Sequence, residues 1–331
     1  MQRFLYSLLF FWVMAVVPFT QFEVQAQSSE LSAAYRFLNL TASPRAAALG
    51  GNQVAIPDAD ISFFDVNPGY VTEELHRNFS VNYLNHIGGL NMGFVNGAWH
   101  LRDIGTLGVG IRYLNYGEMK RTDESGIVTG DFNAGDLAFT TGITREWFEG
   151  LHAGASVSLI YSSYAEYSST AIGLNLGARY YIEDLGLHVG AAVLNIGSQL
   201  SAFDTRKEKL PLDVRVGISR RLEYIPIRLM VTAHSLNRWK LETQNDENPG
   251  FTDYFFRHLK FGGELLLSEN VMLRAGYDHL KHQELKTSTR LDSAGFSYGL
   301  GIRYRGITFD FSRSSFSELG GVTRIGIQTW L

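Results

Sequence analysis

From Asn78 to the last residue the chain alternates apolar with small or polar residues at a period of two, one segment after another. Phe79, Val81 and Tyr83 oppose Ser80 and Asn82; Leu107, Val109, Ile111 and Tyr113 oppose Gly108, Gly110 and Arg112. Ile172, Leu174 and Leu176 oppose Gly173, Asn175 and Gly177, and the pattern persists to Ile325 and Ile327. A strand sends successive side chains to opposite faces, so each segment reads as a strand with one apolar face. About fourteen such strands fit, an even number, mostly near the ~9–11 residues a tilted strand needs to cross a bilayer. Short turns (101–104, 148–150, 183–186, 223–225, 268–270, 305–306) alternate with longer connections at 117–133, 197–211, 237–256 and 281–291. That alternation predicts an all-β, antiparallel transmembrane barrel with short periplasmic turns and long outer loops. In hydrocarbon an unpaired N–H or C=O has no water to bond, so the strand near Phe79 must pair with the one near Ile327.

Aromatic residues cluster at strand ends. Tyr113, Tyr116, Tyr161 and Tyr164 are expected in an outer girdle, and Trp99, Trp147, Tyr180, Tyr181 and Trp330 in a periplasmic one. The closing Ile325, Ile327, Trp330 and Leu331 resemble the terminal strand by which such barrels are recognised for assembly.

The N-terminus carries a different signal. Arg3 precedes an apolar run from Phe4 to Val17, and Val24-Gln25-Ala26 offers small residues, so residues 1–26 read as an export signal cut after Ala26. The absence of cysteine excludes disulfides, thiolate metal sites and a lipidated N-terminus, and suits passage through an oxidising periplasm. A net charge of −4 favours neither a nucleic-acid partner nor a strongly anionic one.

Residues 27–77 lack strand alternation and are expected to fold inside the barrel, which spans 78–331, as a lumenal hatch. Ser43 at a cap, Pro44 at the first helical position and Gly50-Gly51 past the end predict one short helix. Asn67-Pro68-Gly69 sets a turn with the glycine free for positive φ. After Arg77 only strand and turn are expected. The lumen face reads as Gly, Ser, Asn and Thr in the first half. In the second it carries charges, among them Asp213, Arg215, Arg228, Glu264, Arg274 and Asp310. The hatch should pack on the small-residue wall while Asp58, Asp60 and Asp65 meet lumen arginines.

Catalytic chemistry finds little support. Gly295-Phe296-Ser297-Tyr298-Gly299 matches a serine-hydrolase word, but it lies within a strand and not at a strand-to-helix turn. His279 and His282 share a loop without a third ligand at a convincing spacing. Asp58 and Asp60 lack the following Asp-Gly of a calcium loop. No catalytic residue, metal ligand or cofactor is assigned.

Several words carry a resemblance. Arg36-Phe37-Leu38-Asn39-Leu40, Ala46-Ala47-Ala48-Leu49-Gly50-Gly51 and Asn67-Pro68-Gly69 are similar to the opening of the PorV/PorQ group within the FadL-like barrels. Asp131-Phe132-Asn133-Ala134-Gly135-Asp136, Ile160-Tyr161-Ser162-Ser163-Tyr164 and Leu236-Asn237-Arg238-Trp239 resemble its PorQ-like branch more than the longer PorV proteins. Relatives often have Asn-Pro-Ala where this chain has Asn67-Pro68-Gly69. The resemblance implies an integral protein of a Bacteroidetes-type outer membrane, part of the type IX secretion system. It would anchor a surface protein of PorZ type, with PorU and PorV alongside. Candidate contacts lie on the long loops: Arg238, Trp239, Lys240, Tyr254, Phe255, Lys281 and Lys286. The same basic loops would equally suit lipopolysaccharide phosphates. Two other roles fit a barrel of this kind: a FadL-like diffusion channel for hydrophobic solutes, and a PorV-like shuttle for cargo signal domains.

Overall fold

The computed structural model describes residues 35–86, 89–243, 249–286, 292–316 and 320–331. The expected cleavage site and residues 27–34 of the hatch lie outside these. Fourteen strands follow the short N-terminal elements: β1 (Asn78–Asn85), β2 (Asn91–Leu101), β3 (Gly105–Thr122), β4 (Val128–Phe148), β5 (Leu151–Tyr164), β6 (Tyr167–Ile182) and β7 (Leu187–Ser201). The second half holds β8 (Asp213–Arg221), β9 (Ile227–Ala233), β10 (Leu259–Leu266), β11 (Val271–Asp278), β12 (Phe296–Tyr304), β13 (Ile307–Ser315) and β14 (Gly321–Trp330). Each pairs antiparallel with its sequence neighbours, and β1 closes on β14 with Val81 opposite Ile327. The expected seam therefore forms. The outward residues of each strand, such as Ile111, Phe139, Leu159, Leu174, Leu229 and Leu273, are exposed and apolar. An apolar surface around a sheet without an edge suits hydrocarbon, where every backbone group must find its partner within the protein.

The wall is uneven. β3 to β7 run for 14 to 21 residues, whereas β8 to β14 run for 7 to 10. The tall side holds a correction: the stretch 117–133, expected as a loop, is mostly strand. β3 and β4 stay paired out to Thr122 and Val128, beyond the last β2–β3 pair at Asn91 and Asn115 and the last β4–β5 pair at Ala134 and Tyr164. The outcome is a free-standing two-stranded ribbon. Cross-strand charge pairing supports it, with Lys120 Nζ 2.7 Å from the Asp131 carboxylate. Arg121, towards its tip, pairs with Glu166 of the β5–β6 turn at 2.7 Å.

A second correction concerns the short side, where strand and turn alone were expected. Two helices lie in the outer connections, α2 (Phe251–Arg257) and α3 (His279–Leu285); α1 is Pro44–Ala48. Local capping explains both. The Asp253 carboxylate accepts from the Gly250 amide at 2.8 Å, and Asp278 accepts from Lys281 N at 3.2 Å. A third correction removes Tyr116 and Tyr164 from the outer girdle. Their hydroxyls donate to Asp136 at 2.6 and 3.0 Å, and Asp136 belongs to the buried, inward face.

Residues 35–77 are inside. α1 contacts β11 to β14, while the single-turn 3-10 helices Ile61–Phe63, Pro68–Tyr70 and Glu73–Leu75 touch β1, β2, β3, β4, β5 and β6. A segment that meets the buried face of strands all round a closed barrel lies within its lumen.

Candidate functional site

The plug is assembled from local signals. Ser43 caps α1 by accepting from Ala46 N at 3.2 Å, with Pro44 behind it. Gly50 and Gly51 take φ of 89° and 113°, the left-handed region that ends a helix cheaply only for glycine. Asn67 accepts from Gly69 N at 2.9 Å and opens the next turn. Gly69, read as free for positive φ, is not among the positive-φ residues. Its lack of a side chain serves proximity instead, since a Cβ there would lie 2.9 Å from Ala178 Cα.

Backbone-to-backbone approach is how the plug fits. A Cβ on Gly190 would overlap the Val54 carbonyl, and one on Gly276 would overlap the Gly50 amide. The small-residue contact thus runs round both halves of the barrel, not the first alone. Ser297 takes part: its hydroxyl accepts from Gly50 N at 3.1 Å and donates to Ala48 O at 3.2 Å. The serine of the hydrolase-like word closes the end of α1.

The charged half locks the plug. Arg45 of α1 donates to both oxygens of Glu264, at 3.1 and 3.0 Å, and to Asp58 at 2.6 Å. Arg228 reaches the same two carboxylates at 2.5 and 2.8 Å. Arg274 joins Glu264 at 2.8 Å and also pairs with Asp310. Of the three expected plug acids, Asp58 meets lumen Arg228, and Asp65 lies 3.5 Å from lumen Arg112. Asp60 does not follow: its nearest arginine is Arg45, of the plug itself, at 3.8 Å. Burial opposes the charge of Asp58, but Arg45 and Arg228 outweigh it and hold the carboxyl below the usual range. For Asp60 burial prevails over Arg45, so its affinity for a proton is raised.

Towards the outer end the lumen is apolar, which the sequence reading missed. Leu84, Met92, Phe94, Leu114, Ile160 and Val322 converge on Tyr35 and Phe37 of the plug. The Tyr35 hydroxyl bonds Ser169, and Arg112 donates to the carbonyls of Phe37 and Leu38 at 3.0 and 2.7 Å. Between α1 and β11 to β14 a space of about 10 Å³ remains. A larger cavity of about 180 Å³ opens at the short-turn end, beside Thr72, Glu73, His100 and His152.

The candidate partner residues gather at the outer rim of the short side. Trp239 stacks on His258 and lies 5.1 Å from the Phe251 ring, and Arg257 sits over Tyr254 at 5.4 Å. Phe255 packs on Phe256, whose ring meets His279 of α3 at 6.1 Å. Arg238 and Lys240 are exposed beside Trp239. Lys281 lies 4.0 Å from Asp278, and Lys286 donates to Gln283 at 2.6 Å. His279 and His282 are in helix α3, not in a loop. Among the described residues no group of three or more His, Asp or Glu could hold a metal ion. In β14, Ile325, Ile327 and Trp330 are exposed, and the Leu331 amide donates to Arg77 O at 2.9 Å.

No protein-family model matches the chain, and no curated protein matches it. Solved structures of like fold do. The toluene transporter TbuX of Ralstonia pickettii aligns at 13% identity with a TM-score of 0.56, over 88% of this chain and 99% of that one. The toluene transporter TodX of Pseudomonas putida gives 13% and 0.55, over 88% and 97%. The monoaromatic hydrocarbon channel CymD gives 13% and 0.58, over 88% and 98%. At such identity the likeness carries the fold alone: a closed, fourteen-stranded antiparallel barrel.

Proposed function

We propose that this chain is a plugged outer-membrane scaffold that holds a surface protein, the anchoring role of the PorQ-like proteins in type IX secretion. The observation that carries the reading is the plug. Residues 35–77 fill the lumen and are fastened to its wall by Arg45, Glu264, Arg228 and Asp58. A barrel whose lumen is filled and ion-paired has its outer face left to work with. The ribbon of β3 and β4 stands clear of the rim with Ile127 and Val128 exposed at its tip, and the connection that holds α3, with half-buried Lys281 and Lys286, is a second candidate surface. A PorZ-type partner, with PorU and PorV in the same assembly, would dock there.

The channel reading has its own support. The apolar outer lumen around Tyr35 and Phe37 would become a chamber for a hydrophobic molecule were those residues to leave. The solved barrels of like fold carry the names of toluene transporters and a monoaromatic hydrocarbon channel, which favours this reading over anchoring. One pair of measurements decides. Tagged barrel purified from native outer membranes should bring down a surface protein, lost when 117–132 is replaced by a tight turn while barrel level holds. Absence of any partner, together with entry of toluene into vesicles holding the purified barrel, would overturn anchoring in favour of the channel.

A further inference from the structure

The wall is lowest at β9, which has 7 residues, flanked by β8 with 9 and β10 with 8. At ~3.3 Å per residue and a tilt near ~40°, such a strand as β9 rises about 18 Å, against an apolar band about 25 Å tall. Tyr224, in the turn before β9 and 95% exposed, sits where a periplasmic girdle residue belongs. Measured from there, the outer boundary of the band falls near Ala233, where β9 gives way to residues 234–258. On the tall side Tyr113 and Tyr161 project outward from β3 and β5. Neither β8 nor β9 contains an aromatic residue.

The following segment supplies rings instead. Trp239, Phe251, Phe255 and Phe256 are 45%, 70%, 45% and 46% exposed. In the same helix Arg257 is buried, its Nη1 donating to Leu241 O at 2.6 Å. Three exposed phenylalanines and one buried arginine invert what water selects. The rings are also continuous with the lipid-facing wall: Phe256 meets His279, His279 meets Tyr277, and Tyr277 packs on outward Phe296 at 4.8 Å.

We propose that α2 and Trp239 form an interfacial segment seated in the outer leaflet, with their rings at the acyl-chain boundary and Arg238 and Lys240 beside anionic headgroups. The occupant of this surface is lipid, and the segment completes the girdle where the wall is too short to do so. A cation beside an aromatic face at a membrane boundary gains from both burial and phosphate attraction.

The cysteine-free chain permits the test. Single substitutions Phe251→Cys and Phe255→Cys, spin-labelled, are placed in vesicles of phosphatidylcholine with phosphatidylglycerol. Collision with oxygen and with a water-soluble nickel chelate is compared against Leu229→Cys in the wall, Tyr113→Cys in the girdle and Glu124→Cys at the ribbon tip. Labels at 251 and 255 should favour oxygen at least as strongly as the label at 113. Nickel access like that at 124, or protection from both agents as under a second copy or a protein partner, overturns the proposal. As a check independent of the labels, Trp239→Phe should remove part of the fluorescence that brominated lipid quenches in the unsubstituted barrel. Unchanged quenching on that substitution likewise counts against lipid contact.

Discussion

At the scale of single residues, the fit of plug to wall depends on what is missing. Gly190→Leu would drive a side chain into the Val54 carbonyl, whereas Gly93 has nothing within 4 Å of an added Cβ. The first substitution should let small polar solutes through vesicles containing the barrel, and Gly93→Ala should not; equal permeability would discount the close approach. Glu264→Ala leaves Arg45, Arg228 and Arg274 without their shared acceptor, a change of the kind that costs about 3–5 kcal/mol, readable as a lower denaturant midpoint. The acid response follows from Asp58. Its folded affinity for protons is below the unfolded one, so its stabilisation is present above the ordinary carboxylate value near ~3.9 and lost as pH falls through a still lower folded value. Asp60 acts in the opposite sense: its contribution is present at low pH and lost as pH rises through its raised value. Their sum leaves the plug seated at pH 4, so solute leakage should be the same at pH 7 and pH 4; a rise between them would show that Asp58 does not hold it.

At the scale of elements, the strands were legible because alternation is a direct print of the pleat. Leu174 is exposed and Asn175 buried, as the register requires. Leu174→Arg should cost about 2–4 kcal/mol near the midplane, measured by unfolding from vesicles. Asn175→Arg is no neutral control, although sequence alone makes it look like one. The Asn175 side chain accepts from Asn195 N at 2.8 Å and donates to Ser156, within the bulge that shifts pairing between Leu174 and Leu176. A bulge leaves no mark on the alternation, so its support was invisible. Helix α2 was missed because Phe251-Thr252-Asp253-Tyr254-Phe255-Phe256 has few strong helix formers, and α3 because its seven residues, though good helix formers, make only two turns with a cap that acts over one. The apolar outer lumen was hidden because Leu84, Met92, Phe94 and Leu114 sit singly on separate strands. They converge only once the sheet is closed.

At the scale of the whole molecule, wall and plug use different cohesion. The wall is held by strand-to-strand hydrogen bonds, including the β1–β14 seam, and the plug by ion pairs and backbone contact. A mature chain lacking 36–70 should therefore still fold into a heat-modifiable barrel, and should leak small polar solutes. If it assembles and leaks no more than the intact protein, the lumenal segment is not the seal.

The seam has a consequence in time. The plug is made first, yet its partners come late: Arg45 waits for Glu264 across 219 positions, Gly50 for Ser297 across 247, and Thr41 for Arg324 across 283. Contacts so far apart in sequence pay their loop-closure entropy before they return any stabilisation, which slows assembly. Until β10 arrives the first segment lacks its acid, and until β14 arrives it lacks a closed wall. The last of the plug's contacts, from Arg324 to the Thr41 carbonyl, thus arrives with barrel closure, and a chain halted before β14 holds an N-terminal segment inside an open wall.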